Sequence, residues 1–122
     1  MNIAELAHVA ITQVVCDDLT VDLANKKVII AGKTVHVSDK EFQVLAYLAE
    51  EKAKGKDQRR LRQVDFLDRM YEGDEKPVLK IIDVFICSLR KKLAKASDGK
   101  DYIENVHNRG YALCEPKKEF VS

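Results

Sequence analysis

The stretch "KIIDVFICSLRKKL", residues 80–93, sets apolar, hydroxyl and cationic side chains at helical spacing. At about 100° per residue, Ile82, Ile86, Leu89 and Leu93 fall within roughly 60° of one another and form one core stripe. Ile81, Val84, Ser88, Lys91, Lys92 and Lys95 occupy a second, contiguous arc. Phe85 sits on the border, and Arg90 lies between the stripe and the arc. The chemistry such an arc can do is recognition. Apolar groups touch thymine methyls, a serine bonds base edges or phosphate, and Lys or Arg meets the nucleic-acid backbone. A central helix buried on two sides, with a solvated cationic end, has the same periodicity. Spacing alone leaves both readings open.

Other reactive residues do not assemble into a site. Gly32-Lys33-Thr34 copies the end of a phosphate-binding loop, but Lys27 stands where that motif needs a glycine, and the segment joins strands. His8, His36 and His107 are scattered singly. His36, alternating out of a strand, is expected to be solvated, whereas His107 could contact nucleic acid or pack. Cys16, Cys87 and Cys114 are odd in number and widely spaced, which favours free thiols over a disulfide framework or a zinc site. No nucleophile stands beside a base, so catalysis is not expected and the chain reads as a non-enzyme. No metal or cofactor is implied.

The elements that must position the arc follow from the rest of the pattern. Residues 14–37 read as short antiparallel strands: "LTVDL" alternates Leu19, Val21 and Leu23 with polar residues, and "KVIIA" and "TVHV" follow across Ala24-Asn25 and Gly32-Lys33. "SDKE" is a capping box that starts a helix after Ser38, with Val37 and Phe42 as the hydrophobic staple. Phe42, Leu45, Ala46, Leu48 and Ala49 give it an apolar face through about residue 53. A second helix covers about 63–71, with Val64, Leu67, Met70 and Tyr71 inward. "EGDEKP" is a loop, Pro77 suits a first helical turn, and a third helix runs over about 78–96. "DYIENV" and "GYALCE" form a hairpin across His107-Asn108-Arg109-Gly110.

The 122 residues, 46% hydrophobic and 34% charged, suit one soluble domain. No apolar run approaches the roughly 20 residues of a membrane span, and the N-terminus lacks a signal-peptide pattern. The net charge of +1 names no partner. Its distribution is more informative: residues 1–57 hold seven Lys/Arg against nine Asp/Glu, whereas residues 78–97 hold five basic groups against Asp83 alone. Strands, three helices and a hairpin tipped by Arg109 make an α+β winged helix-turn-helix plan. In that plan the third helix enters the major groove, and the wing sets a cation on phosphate or in the minor groove. Residues 14–116 would form this domain, with an extension over 1–13 and a tail over 117–122. Ile3, Leu6, Val9, Ala10 and Ile11 in the extension could pack on the domain or against a second copy.

From about Cys16 to Glu115 the sequence resembles the effector domain of OmpR/PhoB-type response regulators of two-component systems. The resemblance is carried by "LTVDLANKKVIIAGKTVHVSDKEFQVLAYLAE", "LKIIDVFICSLRKKL" and "YIENVHNRGYAL". It implies a four-stranded N-terminal antiparallel sheet, three helices and a C-terminal winged hairpin. It also implies sequence-specific binding of double-stranded DNA for transcription regulation, in the cytoplasm and on the nucleoid of a bacterium. Lys80, Ile81, Val84, Phe85, Ser88, Arg90, Lys91 and Lys92 correspond to the recognition helix, and His107 and Arg109 to the wing. Glu72, Gly73, Asp74, Glu75 and Lys76 correspond to the loop that touches RNA polymerase. Ser88 stands where relatives usually carry a basic residue, and Asn108 where they carry glycine. No receiver domain precedes the effector, so an orphan or excised effector is expected. That feature, Ser88 and the near-neutral charge leave a second reading: a protein-interaction module or antagonist of a related regulator. A mixed case is DNA binding that depends on a homodimer or on another regulator.

Overall fold

The computed structural model describes residues 12–55, 60–71, 73, 76–106 and 110–116. Strands β1 (Gln13–Cys16), β2 (Leu19–Asp22), β3 (Lys27–Ile30) and β4 (Lys33–Val35) form an antiparallel meander in the order β1-β2-β3-β4. Alternation decides which face is buried: Val14 and Cys16, Leu19 and Val21, and Val28 and Ile30 all turn inward. The last turn of the meander is Ala31-Gly32 rather than Gly32-Lys33, because Lys33 already pairs with Ile30. Both turn residues have positive φ, 50° at Ala31 and 82° at Gly32, the backbone that two-residue hairpins require.

Helix α1 (Asp39–Ala53) starts on the expected capping box. The Glu41 amide donates to Ser38 Oγ at 3.1 Å, and the Ser38 amide donates to Glu41 Oε1 at 2.8 Å. Its buried face differs from the sequence expectation. Val44 is fully buried with Leu45, Leu48 and Ala49, while Phe42 and Ala46 are only half-buried. Two carboxylates, Glu41 and Glu51, are buried as well. Each is admitted by cationic partners: Lys92 for Glu41, and Lys54 and Arg69 for Glu51.

Helix α2 (Gln63–Met70) buries Phe66, Leu67 and Met70. Val64 is 38% exposed, so the apolar face is rotated from that expected: Phe66, one turn before Met70, replaces Val64. Helix α3 (Lys80–Ala96) begins two residues later than predicted, leaving Pro77 outside it. Its buried residues are Ile82, Ile86, Leu89 and Leu93, the stripe read from the periodicity. Strands β5 (Ile103–Val106) and β6 (Gly110–Leu113) close the chain as a hairpin.

The two sheets are joined through one core. Leu61 forms an antiparallel bridge with Tyr111, its amide donating to the Tyr111 carbonyl at 2.9 Å and its carbonyl accepting from the Tyr111 amide at 2.7 Å. This bridge hangs the hairpin on the segment that leads into α2. Gly110 makes the approach possible. Its φ is +101°, and a Cβ built there would lie 2.4 Å from the Leu61 carbonyl oxygen. At the other end, Cys16 Sγ donates to the Cys114 carbonyl at 2.8 Å, and the Tyr102 hydroxyl donates to the Asp18 carboxylate. Among the described residues, three helices, a four-stranded antiparallel sheet and a two-stranded hairpin make the α+β winged helix-turn-helix architecture.

Candidate nucleic-acid interface

Helix α3 offers its core stripe to the interior and leaves the opposite side open. Val84 is 54% exposed, and Lys80, Cys87 and Lys91 are exposed beside it. With Asp83 and Ser88 these side chains line an open groove of about 370 Å³. Two cations, an exposed methyl pair, a thiol and a hydroxyl thus share one shallow surface. Such a surface can contact base edges and phosphate together. The 17-residue helix is about 25 Å long at 1.5 Å per residue, long enough to cross a major groove about 12 Å wide.

The predicted contact residues do not all lie on that surface. Lys80, Val84 and Lys91 are exposed on it, and half-buried Ser88 lines it. Ile81 and Phe85 are partly buried and pack against the core. Arg90 faces the hairpin, its guanidinium donating to the Ile103 carbonyl, with Nε 3.3 Å from Asp101 Oδ1. Its ion-pair partner is thus Asp101 and not Asp83 on its own helix. Lys92 Nζ donates to Glu41 Oε1 at 2.6 Å. His107 and Arg109 of the wing tip, with Asn108, lie outside the described residues. In the expected polymerase loop, Gly73 and Lys76 are exposed, and Lys76 Nζ donates to Asp68 Oδ1 at 2.7 Å. Glu72, Asp74 and Glu75 lie outside the described residues, as do residues 1–11.

Two positions escaped the sequence reading. Cys87 sits about 140° from Ile82 on a helical projection, next to Lys80, and that angle alone could have placed it on the outer face. Asp83 is the second. It accepts from the Tyr111 hydroxyl at 2.5 Å and from Gln63 Nε2 at 2.8 Å, so one carboxylate fastens α3 to the hairpin and to α2. Burial, with the Asp83 bond, raises the Tyr111 phenol to about 12, so it remains a donor at neutral pH. No signal in the sequence connects residues 63, 83 and 111.

Glu41 holds the other side of α3. Its Oε2 accepts from Ser88 Oγ at 2.5 Å, while Oε1 accepts from Lys92 and from the Ser38 amide. Burial pushes this carboxyl up, but Lys92, Ser88 and Ser38 outweigh it and hold it below its ordinary range. The lone histidine of β4's continuation, His36, is exposed, as expected. Among the described residues, no group of three His, Cys, Asp or Glu could hold a metal ion, and no helix is long and apolar enough to cross a membrane.

Residues 32–113 match the family described as "Transcriptional regulatory protein, C terminal". The chain is 47% identical over 102 residues to the cell cycle response regulator CtrA of Brucella ovis, covering 84% of this chain and 42% of that protein. It therefore spans less than half the length of the curated relatives it matches. Among solved structures it is similar to the response regulator DrrB, a Thermotoga maritima OmpR/PhoB homolog. The TM-score is 0.68 and the identity 25%, over 84% of this chain and 44% of that one. It is also similar to the Klebsiella pneumoniae RstA DNA-binding domain in complex with the RstA box. Here the TM-score is 0.62 and the identity 25%, over 84% of this chain and 96% of that one.

Proposed function

This chain belongs to the family of transcriptional regulatory protein C-terminal domains, the OmpR/PhoB-type effectors, and on that premise we propose that it binds double-stranded DNA to regulate transcription. Helix α3 enters the major groove, and the hairpin tip with His107 and Arg109 lies on the backbone or in the minor groove. The observation that carries this reading is the two-sidedness of α3. Ile82, Ile86, Leu89 and Leu93 are all within 2% of full burial, while Val84 on the far side is 54% exposed between Lys80 and Lys91. A helix serving only the core leaves mainly polar side chains on its solvent face; here a large apolar side chain stands exposed among cations. The similar RstA DNA-binding domain, solved in complex with the RstA box, supports DNA binding.

Within the groove surface the residues divide by chemistry. Lys80 and Lys91 neutralise phosphates. Val84 and Cys87 offer apolar contact to thymine methyls. Arg90 and Lys92 act from within, holding α3 to the hairpin and to α1. The protein acts where its DNA is, in the cytoplasm and on the nucleoid of a bacterium.

Affinity should fall steeply with salt, each neutralised phosphate adding about 0.9 to the log–log slope. Lys91→Ala should weaken binding to every duplex and reduce that slope by about 1; Val84→Ala should change which sites are selected. Parent-like binding by Lys91→Ala, measured by salt titration, would remove α3 from the interface.

A second reading is favoured by one observation. Val78 is 75% and Leu79 47% exposed, next to each other at the entry to α3. Adjacent exposed apolar residues suit a protein partner, whether RNA polymerase beside the 72–76 loop or another regulator. A gel shift against random duplex at low salt separates the readings, since a module that serves proteins alone leaves the duplex unretarded.

A further inference from the structure

The Ser88 hydroxyl has one proton, and Glu41 already holds it. Ser88 Oγ donates to Glu41 Oε2 at 2.5 Å, while Lys92 Nζ and the Ser38 amide occupy Oε1 at 2.6 and 2.8 Å. The Glu41 side chain is only 7% exposed and is surrounded by donors, so it is ionised and accepts only. A bond to an ionised acceptor is roughly twice as strong as one between neutral groups. A base carbonyl in the groove therefore does not draw the hydroxyl proton away. What Ser88 can still offer outward is oxygen lone pairs, on the wall it shares with Lys80, Val84, Cys87 and Lys91.

In the major groove such a lone pair has only two kinds of donor to meet, adenine N6 and cytosine N4. Guanine O6 and N7, thymine O4 and phosphate oxygens are acceptors. We infer that Ser88 is a specificity-determining residue, polarised by Glu41 into a hydrogen-bond acceptor that selects an adenine or cytosine amino group. The inference rests on the DNA-binding reading. In it Glu41 touches no DNA; it is a positioning residue that acts through Ser88.

The experiment selects bound sites from random duplexes with the parent and with Ser88→Ala, and finds the base pair whose identity the variant relaxes. Duplexes are then made in which that pair lacks either its amino or its keto group, using deaminated or deoxygenated base analogues. Losing the amino group should weaken the parent about fivefold, the worth of one hydrogen bond, and leave Ser88→Ala unaffected. Losing the keto group should leave the parent unchanged. Glu41→Gln, checked for folding by circular dichroism, frees the hydroxyl proton and should move the dependence from the amino toward the keto group. The inference is overturned if Ser88→Ala selects the parent's sites, if keto deletion is the one that weakens binding, or if Glu41→Gln keeps the amino dependence intact. A parent that retains no duplex at all overturns the DNA-binding reading, and this inference with it.

Discussion

At the scale of single residues, one buried and one half-buried carboxylate decide how the outer face of α3 is held. Glu41, on α1, accepts from Ser88 and Lys92 of α3, and Asp83, on α3 itself, accepts from Gln63 of α2 and Tyr111 of the hairpin. Glu41 gives a direct pH prediction. Its folded-state carboxyl lies below the ordinary value, so its contribution is fully present above the usual carboxylate range and is lost as pH falls through the depressed folded value. Thermal melts from neutral to acid pH should show this loss in the parent. Glu41→Gln should be less stable at neutral pH by about 1.5–3 kcal/mol, the range for hydrogen bonds to a charged group, and its stability should fall less on acidification. Equal acid dependence in the two proteins would mean that Glu41 is not the group being titrated.

At the scale of elements, two turns carry the backbone requirements. Ala31 holds φ 50° ahead of Gly32, a left-handed backbone that costs an alanine about 1–2 kcal/mol. Asn-Gly is the preferred pair for this turn. Ala31→Asn should therefore raise the melting temperature by about 4–8 °C, the shift that corresponds to about 1 kcal/mol in a small domain. Calorimetry reads it directly, and a lowered melting temperature would contradict the turn assignment. Gly110 is the opposite case. Its positive φ and the Leu61 backbone at 2.4 Å from a would-be Cβ leave no room for a side chain. Gly110→Ala should lose about 3 kcal/mol or more, since left-handed strain and a backbone clash act together. The accompanying loss of protection of the Leu61 and Tyr111 amides in hydrogen exchange would identify the bridge as the part that fails.

For the whole molecule, the N-terminal sheet and the hairpin behave as one body because they are bonded at their ends. Tyr102, only 1% exposed, donates its hydroxyl to Asp18 in the β1–β2 turn, and Lys100 reaches Asp17 and Asp18 at 3.1 and 3.0 Å. The Tyr102 bond, joined by Lys100, holds the Asp18 carboxyl below its ordinary range. Burial, with Asp18, pushes the Tyr102 phenol up to about 12. The signs are opposite at the two ends of the pH scale: the Asp18 contribution is lost on acidification, and the Tyr102 contribution is lost as pH rises from about 10 toward 12. Tyr102→Phe should lower stability by about 1–2 kcal/mol and return Asp18 toward an ordinary carboxylate titration, followed by NMR. An unchanged Asp18 titration would show that the two sheets are joined without this contact.

Periodicity and local chemistry were enough for the elements. The capping box at Ser38, the alternation of β2 and the stripe Ile82–Ile86–Leu89–Leu93 are short-range facts, each set by residues close together in the chain. Helix α2 shows the limit. Eight residues with Val64, Phe66, Leu67 and Met70 admit more than one inward face, and contact with its neighbours, not period, chose Phe66 over Val64. The outer face of α3 was legible as an arc, including the angle of Cys87, because helical geometry is local. Which cations on α3 remain available was not legible. Arg90 is turned to Asp101 and Ile103, and Lys92 to Glu41, 51 residues away. A sequence determines the order of side chains around a helix axis. Whether a given charge meets solvent or an internal partner depends on groups that only the folded chain brings within bonding distance.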